Sequence, residues 1–336
     1  MKKGVTIKEI AIKLHMSVST VSKALNNDPE ISVMTKERVK KLAEEWDYIP
    51  NEAARHFKMN KTFSIGVIVP NLIDQFFVLA INGIQKVATE FDYNLIISQS
   101  NEDAVLESKI LDLMKRNRVD GIIITITKHT KDLTIFHKVR KIGIPLVFIS
   151  RQPYDTTFDY VITDNEGGAF KATEFLIKKG HKQIGHLMGP TSLEVSKIRF
   201  DGYKNALKKY NIPLNNKLIK VVDFTKASTQ NAMKYFLSMQ KPPTGIFAFK
   251  NYLSLDAQEY VMKKYKQLNT SIDFVGFGNL PLLRYINYKP VAAIDENSFG
   301  IGHEAAKILF EKINESNKEE STVKQIKIPC KLIPMT

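Results

Sequence analysis

Short runs of apolar residues recur along the chain from Phe63 onward, and segments with helical periodicity separate them. Strands that are apolar throughout have both faces buried, which is typical of parallel sheets covered by helices on each side. The predicted strands form two consecutive series, 65–69, 94–98, 121–125, 145–149 and 160–162, followed by 184–188, 219–222, 245–249 and 273–277. We therefore predict two similar α/β lobes, with a cleft where the carboxyl ends of their strands meet.

The first fifty residues have a different pattern, which predicts three short helices and no strand. Thr6 and Glu9 have the spacing of a capping box at the start of the first helix. Ser17 is placed to cap the second helix, and Ser32 or Thr35 the third. Two short helices joined by a tight turn are typical of a helix-turn-helix, although such pairs also occur as purely structural elements.

The second of these helices has one face that is free to reach a DNA groove. Val21 faces the core of the head, so that Val18, Ser19, Ser22 and Lys23 point outward. A formal net charge of +14, from 49 Lys and Arg against 35 Asp and Glu, raises the expectation of a nucleic-acid partner. A lysine-rich proteome explains part of that excess, so charge alone does not decide the function.

Composition excludes several other classes of protein. A hydrophobic fraction of 43% is too high for a mainly disordered chain. No apolar run reaches the roughly 18 residues that a membrane span requires. The polar N-terminal segment and the single cysteine, Cys330, lead us to expect a cytoplasmic protein without an internal disulfide or a thiolate metal cluster.

A series of motifs runs in order through the chain. In the head they are Thr6-x-x-Glu9-Ile10-Ala11, the segment 17–26, and Tyr48-Ile49-Pro50-Asn51 with Ala54-Arg55. In the core they are the segments 65–70 with 76–77, 119–123, 164–165 with 168–169, 180–184, 199–203, 242–248 and 275–277. In this order they resemble the lactose/galactose repressor family of bacterial transcription regulators over nearly the whole chain.

The resemblance implies a fold and an order of domains. We expect a small all-α helix-turn-helix head at residues 1–49 and a hinge at 50–61. The core at 62–336 would be α/β and two-lobed, with two Rossmann-like parallel sheets arranged as in periplasmic binding proteins. Lobe 1 would comprise about 62–161 and 291–320, and lobe 2 about 162–290 and 321–336.

The resemblance also implies which residues of the head contact DNA. Val18, Ser19 and Lys23 would reach base edges in the major groove, whereas Thr6, Ser17 and Thr20 would bind phosphates. Lys23 stands where arginine is frequent in the family, and its point charge lacks the bidentate fork of arginine, so a shifted base preference is expected.

The hinge carries a further set of expectations. Ala53 and Ala54 suit the close approach of two hinge segments in a dimer. Phe57 stands where the family generally has a leucine that wedges between base pairs in the minor groove, and a phenyl ring can also unstack a base step. The structural alternative is that Phe57 packs against the core.

For the cleft, the resemblance implies contacts to a small-molecule effector. The expected residues are Asp74, Phe76, Asn101, Ser150, Arg151, Asp164, Arg199, Lys250, Gly278 and Glu296. Several have structural alternatives, which are helix capping for Asp74 and Asn101, a surface ion pair for Arg151 and a turn for Asp164.

The charge of the expected cleft suggests a class of effector. Ser150, Lys250 and Gly278 replace residues that supply carboxylate or amide groups to sugar hydroxyls in the family. With Arg199 retained, this change favours an anionic effector such as a sugar acid or a phosphorylated sugar. Glu296 argues against it because its carboxylate can neutralise one of the cations. A degenerate pocket that binds nothing is the other possibility.

Together these features predict a cytoplasmic, homodimeric transcription regulator, most simply a repressor, that binds a pseudo-palindromic operator and a small molecule, without cofactor or metal. The alternatives are a regulator controlled by a protein corepressor and, less in keeping with the head, a solute-binding protein. An enzyme is disfavoured, since no phosphate-binding loop, nucleophile elbow or metal-binding histidine pair is found. Residues 326–334 resemble one closing strand rather than a tetramer-forming helix, which favours a dimer.

Overall fold

The computed structural model describes residues 5–48, 61–264, 272–315 and 322–335. It divides into two compact units between Thr62 and Phe63. Within the described ranges, no helix combines the length and the apolar character needed to cross a membrane.

In the first unit, the head, the described residues 5–48 form three helices: α1 (Ile7–Leu14), α2 (Val18–Leu25) and α3 (Val33–Glu45). Each begins at a hydroxyl residue that accepts a backbone N–H, namely Thr6, Ser17 and Ser32, and the predicted capping box of Thr6 and Glu9 is complete. The buried residues that hold the helices together are Ile10, Ala11, Val21, Ala24, Val39, Leu42 and Ala43. The apolar spacing of the sequence therefore fixes which face of each helix points inward.

The turn between α1 and α2 depends on a left-handed residue. His15 ends α1 with φ of 53°, and its N–H bonds to the carbonyls of Ala11 and Ile12. A side chain disfavours this conformation, although histidine adopts it more readily than most residues.

The second unit, the core, begins with a parallel six-stranded sheet that forms lobe 1. Its order is β11-β5-β4-β3-β1-β2. Helices α4 (Gln75–Glu90), α5 (Ala104–Arg116), α6 (Thr134–Lys141) and α11 (Ser298–Asn314) pack on it. The strands are β1 (Ser64–Val69), β2 (Asn94–Gln99), β3 (Gly121–Ile124), β4 (Leu146–Ile149), β5 (Asp159–Thr163) and β11 (Gln325–Ile328).

Lobe 2 repeats the arrangement with a second six-stranded sheet. Its order is β12-β10-β9-β8-β6-β7, with β12 antiparallel to β10 and the other pairs parallel. Its helices are α7 (Asn165–Lys178), α8 (Glu194–Lys209), α9 (Lys226–Leu237) and α10 (Asn251–Lys264). The strands are β6 (Ile184–Met188), β7 (Ile219–Val221), β8 (Gly245–Ala248), β9 (Asp273–Phe277), β10 (Ala292–Asp295) and β12 (Lys331–Pro334). The predicted fold class is confirmed.

The predicted lobe boundaries near the C-terminus are correct for α11, which packs on lobe 1, but wrong for two strands. Strand β10 lies in the sheet of lobe 2 although residues 291–320 are predicted in lobe 1, and β11 lies in the sheet of lobe 1 although 321–336 are predicted in lobe 2. The expected closing strand at 326–334 is two strands, because Pro329 has no N–H for a ladder and the chain changes sheets there. The chain thus passes between the lobes after β5, after β10 and after β11.

Two helices of lobe 1 approach each other closely enough to require glycine. A Cβ at Gly302 of α11 would lie 1.8 Å from the carbonyl oxygen of Ala80 in α4, and one at Gly83 would lie 2.1 Å from that of Phe299. This contact packs the middle of α4 against the first turns of α11, and both helices contribute residues to the cleft between the lobes, Phe76 and Leu79 from α4 and Ser298 from α11.

Candidate functional site

The outward face of α2 is the candidate DNA-binding surface of the head. Val18 is 42% exposed and Ser19 is exposed, whereas Val21 and Ala24 on the opposite face are fully buried. An exposed valine beside a serine offers an apolar contact and a hydroxyl, the groups that read a thymine methyl and a base edge. The structure thus places the predicted outward residues on one surface.

The three predicted phosphate-binding residues act as helix caps or lie next to one. Ser17 Oγ accepts the N–H of Thr20 at 3.0 Å and lies 2.8 Å from Thr20 Oγ1. Thr6 Oγ1 donates to the carboxylate of Glu9 at 2.9 Å. The capping role is therefore present, and contact with phosphate stays a prediction.

Lys23 has an ion-pair partner that the sequence did not suggest. Its ammonium is hydrogen-bonded to the carboxylate of Glu30, and the two side chains are 43% and 71% exposed. The hydrogen bond and charge of Glu30 raise the pKa of Lys23. Sequence analysis did not identify Glu30 because it lies in the loop after α2, where helical spacing no longer indicates which side chains are neighbours. The predicted hinge residues Ala53, Ala54 and Phe57 lie outside the described residues.

A cavity of about 130 Å³ lies between the two lobes of the core. Small-molecule sites typically have volumes of roughly 300–1,000 Å³, so this cleft is narrow. The lining includes five predicted residues: Asp74, Phe76, Lys250, Gly278 and Glu296. It also includes residues that were not predicted: Gln75, Leu79, Tyr252, Phe277, Asn279, Leu280, Asp295 and Ser298. Asp295 was missed because strand β10, which ends at it, was not recognised.

An ion pair joins the lobes across this cavity. Lys250, which follows β8 of lobe 2, is hydrogen-bonded to the carboxylate of Asp74, which caps α4 of lobe 1. Asp74 also accepts the N–H of Phe76 through Oδ1 at 3.2 Å. The helix-capping alternative for Asp74 is therefore real, and the same side chain also holds the opposite lobe.

Arg199 of lobe 2 does not itself line the cavity, but it contacts two residues that do, Glu296 and Phe277, and it is only 4% exposed. Its guanidinium donates to Asn165 Oδ1 at 2.9 Å, to the carbonyl oxygen of Phe249 at 2.6 Å and to Glu296 Oε1 at 2.8 Å. The guanidinium carbon also lies 3.5 Å from the ring centroid of Phe277. Protein groups thus contact both the edge and the face of Arg199.

The expected cationic surface is absent from the lining of this cavity. The two cations expected to form this surface each have a carboxylate partner: Arg199 pairs with Glu296, and Lys250 pairs with Asp74. Burial raises the pKa of Glu296, but its bond to Arg199 identifies it as the partner of that charge. The lining contributes the carboxylates of Asp74, Asp295 and Glu296 against the ammonium of Lys250. The structure therefore does not contain the unpaired cations on which the anionic-effector hypothesis depends, and the charge of the effector stays a prediction.

Besides Arg199, four further predicted residues do not line the cavity. Arg151 pairs with Glu102 at 2.6 Å and donates to the carbonyl oxygen of Ile126 at 2.7 Å, all within lobe 1. Asp164 caps α7 by accepting the N–H of Gly167 at 3.1 Å. Asn101 and Ser150 have left-handed backbone, with φ of 51° and 68°, and the cap of α5 is Asp103 rather than Asn101. The structure separates this group from the cavity.

Two family descriptions match the chain, one for each unit. Residues 6–51 match the bacterial regulatory proteins of the lacI family. Residues 62–336 match the periplasmic binding proteins and sugar binding domain of the LacI family. The chain belongs to the lacI family. The head is therefore the DNA-binding domain of a transcription regulator, and the core is of the type that binds sugars.

Individual relatives agree with this membership. The transcriptional repressor CytR of Escherichia coli K12 is 30% identical over 308 residues, covering 92% of this chain and 89% of CytR. EndR of Paenibacillus polymyxa, a probable transcriptional regulator, is 28% identical, with 96% of this chain and 94% of EndR covered.

Among solved structures, the lac repressor dimer bound to operator and the anti-inducer ONPF has the same fold. Its TM-score is 0.82, with 20% identity and 98% of each chain covered. The complex of the regulator CelR with cellobiose gives a TM-score of 0.70, with 21% identity and 98% coverage of both chains.

Proposed function

We propose that this protein is a homodimeric transcriptional repressor that acts in the cytoplasm, binds a pseudo-palindromic operator through α2, and responds to a small molecule in the cleft. The proposal rests on the outward face of α2. Val18, Ser19 and Lys23 lie on this face, and Val21 and Ala24 on the opposite face are buried in the core of the three helices. CytR and PurR, relatives over more than nine-tenths of this chain, are repressors.

Each residue of the head has a role in this proposal. Val18, Ser19 and Lys23 contact base edges and determine the sequence that is read. Thr6, Ser17 and Thr20 are close to helix N-termini, where hydroxyls and backbone N–H groups bind phosphates and fix the register on DNA.

A two-fold dimer doubles these contacts. Two heads related by a two-fold axis require half-sites related by the same axis, and this makes the operator pseudo-palindromic. Ala53 and Ala54 permit close approach of the two hinges, and Phe57 inserts into the minor groove between them.

The effector is a neutral, hydroxyl-rich small molecule. The carboxylates of Asp74, Asp295 and Glu296 can accept hydrogen bonds from hydroxyl groups, and Phe76 and Tyr252 supply apolar faces for a ring. Two solved relatives of the same fold hold neutral sugars, cellobiose and ribose. Because the cavity is narrower than a typical ligand site, effector entry requires the lobes to part and the pair of Lys250 with Asp74 to break.

The control of DNA binding follows from that movement. A ligand shifts an equilibrium only by binding the two states with different affinity. The open cleft accepts the effector and the narrow cleft excludes it, so that effector binding changes the angle between the lobes. The operator affinity of the heads would change with that angle.

Selection of bound duplexes from a random library tests the proposal. The full-length protein is used at one stated ionic strength, because phosphate contacts make affinity strongly salt-dependent. We expect enrichment of a two-fold symmetric sequence. If no sequence is enriched, or if only a single unrepeated half-site is enriched, the proposal that a homodimer binds a two-fold symmetric operator is contradicted.

A further inference from the structure

The recognition surface of the head has an unexpected charge. Lys23 is the single charged residue of α2, and the loop that follows adds two carboxylates, Asp28 and Glu30. A surface that meets the phosphates of DNA is expected to be positive. An acidic residue here weakens binding to every DNA sequence unless it recognises something in the groove.

The two carboxylates have different environments. Asp28 has a structural role, because its Oδ1 accepts the N–H of Glu30 at 2.9 Å and shapes the loop. The loop is also tied to α3, where Lys40 Nζ donates to Asn27 Oδ1 at 2.6 Å. The side chain of Glu30, by contrast, is 71% exposed and its carboxylate bonds to Lys23. The fold does not require Glu30, whereas the position of Lys23 depends on it.

The ion pair leaves the hydrogen-bonding capacity of both groups partly free. The ammonium of Lys23 has three donors, of which Glu30 occupies one. The second oxygen of the Glu30 carboxylate can still accept. The pair therefore presents donors and an acceptor side by side.

This arrangement matches one base pair in the major groove. A G·C pair presents two adjacent acceptors, guanine N7 and O6, followed by the N4 amino donor of cytosine. We propose that Glu30 is a specificity-determining residue and that Lys23 and Glu30 together read one G·C pair, Lys23 donating to guanine and Glu30 accepting from cytosine. The inference rests on the proposed function of α2 as the DNA reader.

Other partners fit the pair less well. In an A·T pair the amino donor of adenine lies between two acceptors, adenine N7 and thymine O4. The two acceptors are therefore not adjacent, and the ammonium of Lys23 cannot bond to both of them while Glu30 accepts from a donor beside them. The reversed C·G pair presents the same groups in the opposite order. A phosphate offers acceptors alone and repels Glu30, which lowers affinity for DNA that lacks the matching base pair.

The test compares four full-length proteins by library selection and by titration of single-position operator variants. They are the wild type, Glu30→Gln, Lys23→Met and the control Glu45→Gln, which removes an exposed carboxylate at the end of α3. We expect the wild type and Glu45→Gln to require G·C at one position of each half-site. Glu30→Gln and Lys23→Met should both relax that same position, each by about ten-fold, because each variant weakens one charged contact to a base edge.

The affinity for non-specific DNA provides a second measurement. Glu30→Gln should raise it by removing a negative charge, while Lys23→Met should lower it. If Glu30→Gln strengthens binding to all sequences and leaves discrimination at every position unchanged, Glu30 is merely a surface charge and the proposal is overturned. If Glu30→Gln and Lys23→Met relax different positions, joint reading of one base pair is overturned. If the wild type selects no symmetric sequence, the proposed function itself fails.

Discussion

The head and the cleft use charge in opposite ways. In the head, Val18, Ser19 and Lys23 are exposed, and the pair of Lys23 with Glu30 remains open to solvent. In the cleft, Arg199 is enclosed by Glu296, Asn165 and an aromatic ring, and Lys250 is tied to the opposite lobe. The head therefore presents groups to a partner, whereas the charged groups of the cleft are paired with one another.

The largest expected effect concerns the enclosed pair. Arg199→Met leaves Glu296 buried without its cation, which should lower the free energy of unfolding of the core by about 3–5 kcal/mol. Urea unfolding followed by circular dichroism measures it. In the double variant with Glu296→Leu most of the loss should be recovered, because neither charge is then left alone. Lys204→Met, which removes an exposed pair with Asp201, is the control and should change stability little. Equal losses in Arg199→Met and Lys204→Met would refute the enclosed site.

A buried histidine extends the comparison to pH. His186 lies stacked 4.6 Å from Phe247, and burial lowers its pKa to about 4, whereas an unfolded imidazole titrates near 6.5. As pH falls below 6.5, the unfolded state therefore binds a proton before the folded state does. The free energy of unfolding should fall as a result, by up to about 3 kcal/mol between pH 6.5 and pH 4. Urea unfolding across this range measures the slope. The dependence of the unfolding free energy on pH should become weaker in His186→Gln and stay unchanged in His129→Gln. The same dependence in the wild type and both variants would exclude His186 as its cause.

The contact between the lobes should have a smaller effect. Lys250→Met and Asp74→Asn each remove one partner of the pair, so each should change the operator affinity of the effector-free protein by up to about five-fold. The double variant should match the single variants, since one interaction is lost in all three. Fluorescence anisotropy on the selected operator measures this. Additive effects would show that the two side chains act separately.

The smallest expected effect is local to the head. Replacing His15 by glycine removes the cost of a side chain at φ of 53° and should stabilise the head by up to about 1 kcal/mol. Trp46 is the one tryptophan of the chain and packs against the head core, so its fluorescence during urea unfolding reports on this unit. Destabilisation by glycine would mean that the imidazole itself holds the turn.

The same contrast explains how far sequence could predict each region. Caps and apolar faces in the head involve residues three or four positions apart, and Thr6 and Ser17 cap their helices as their local patterns indicate. The partners in the cleft are separated by 97 residues for Arg199 and Glu296 and by 176 for Lys250 and Asp74. Local spacing contains no information on such pairs, and for that reason the sequence does not reveal that both expected cations have carboxylate partners.

Strand prediction failed for a related physical reason. β10 has only a short apolar run before Asp295, and β11 and β12 read as one segment although they lie in different sheets. Their placement is decided by long-range pairing rather than by their own composition. The residues that these strands bring to the cleft, Asp295 above all, could not be found before the sheets were known.

Titration of the wild-type protein onto its selected operator, in the presence of a panel of neutral and acidic sugars at fixed ionic strength, tests the central claim most directly. We expect a neutral sugar to change operator affinity, acidic sugars to leave it unchanged, and Lys250→Met to alter the concentration of neutral sugar required. A response confined to acidic sugars, and abolished by Lys250→Met, would show that the cleft does not neutralise its own cations.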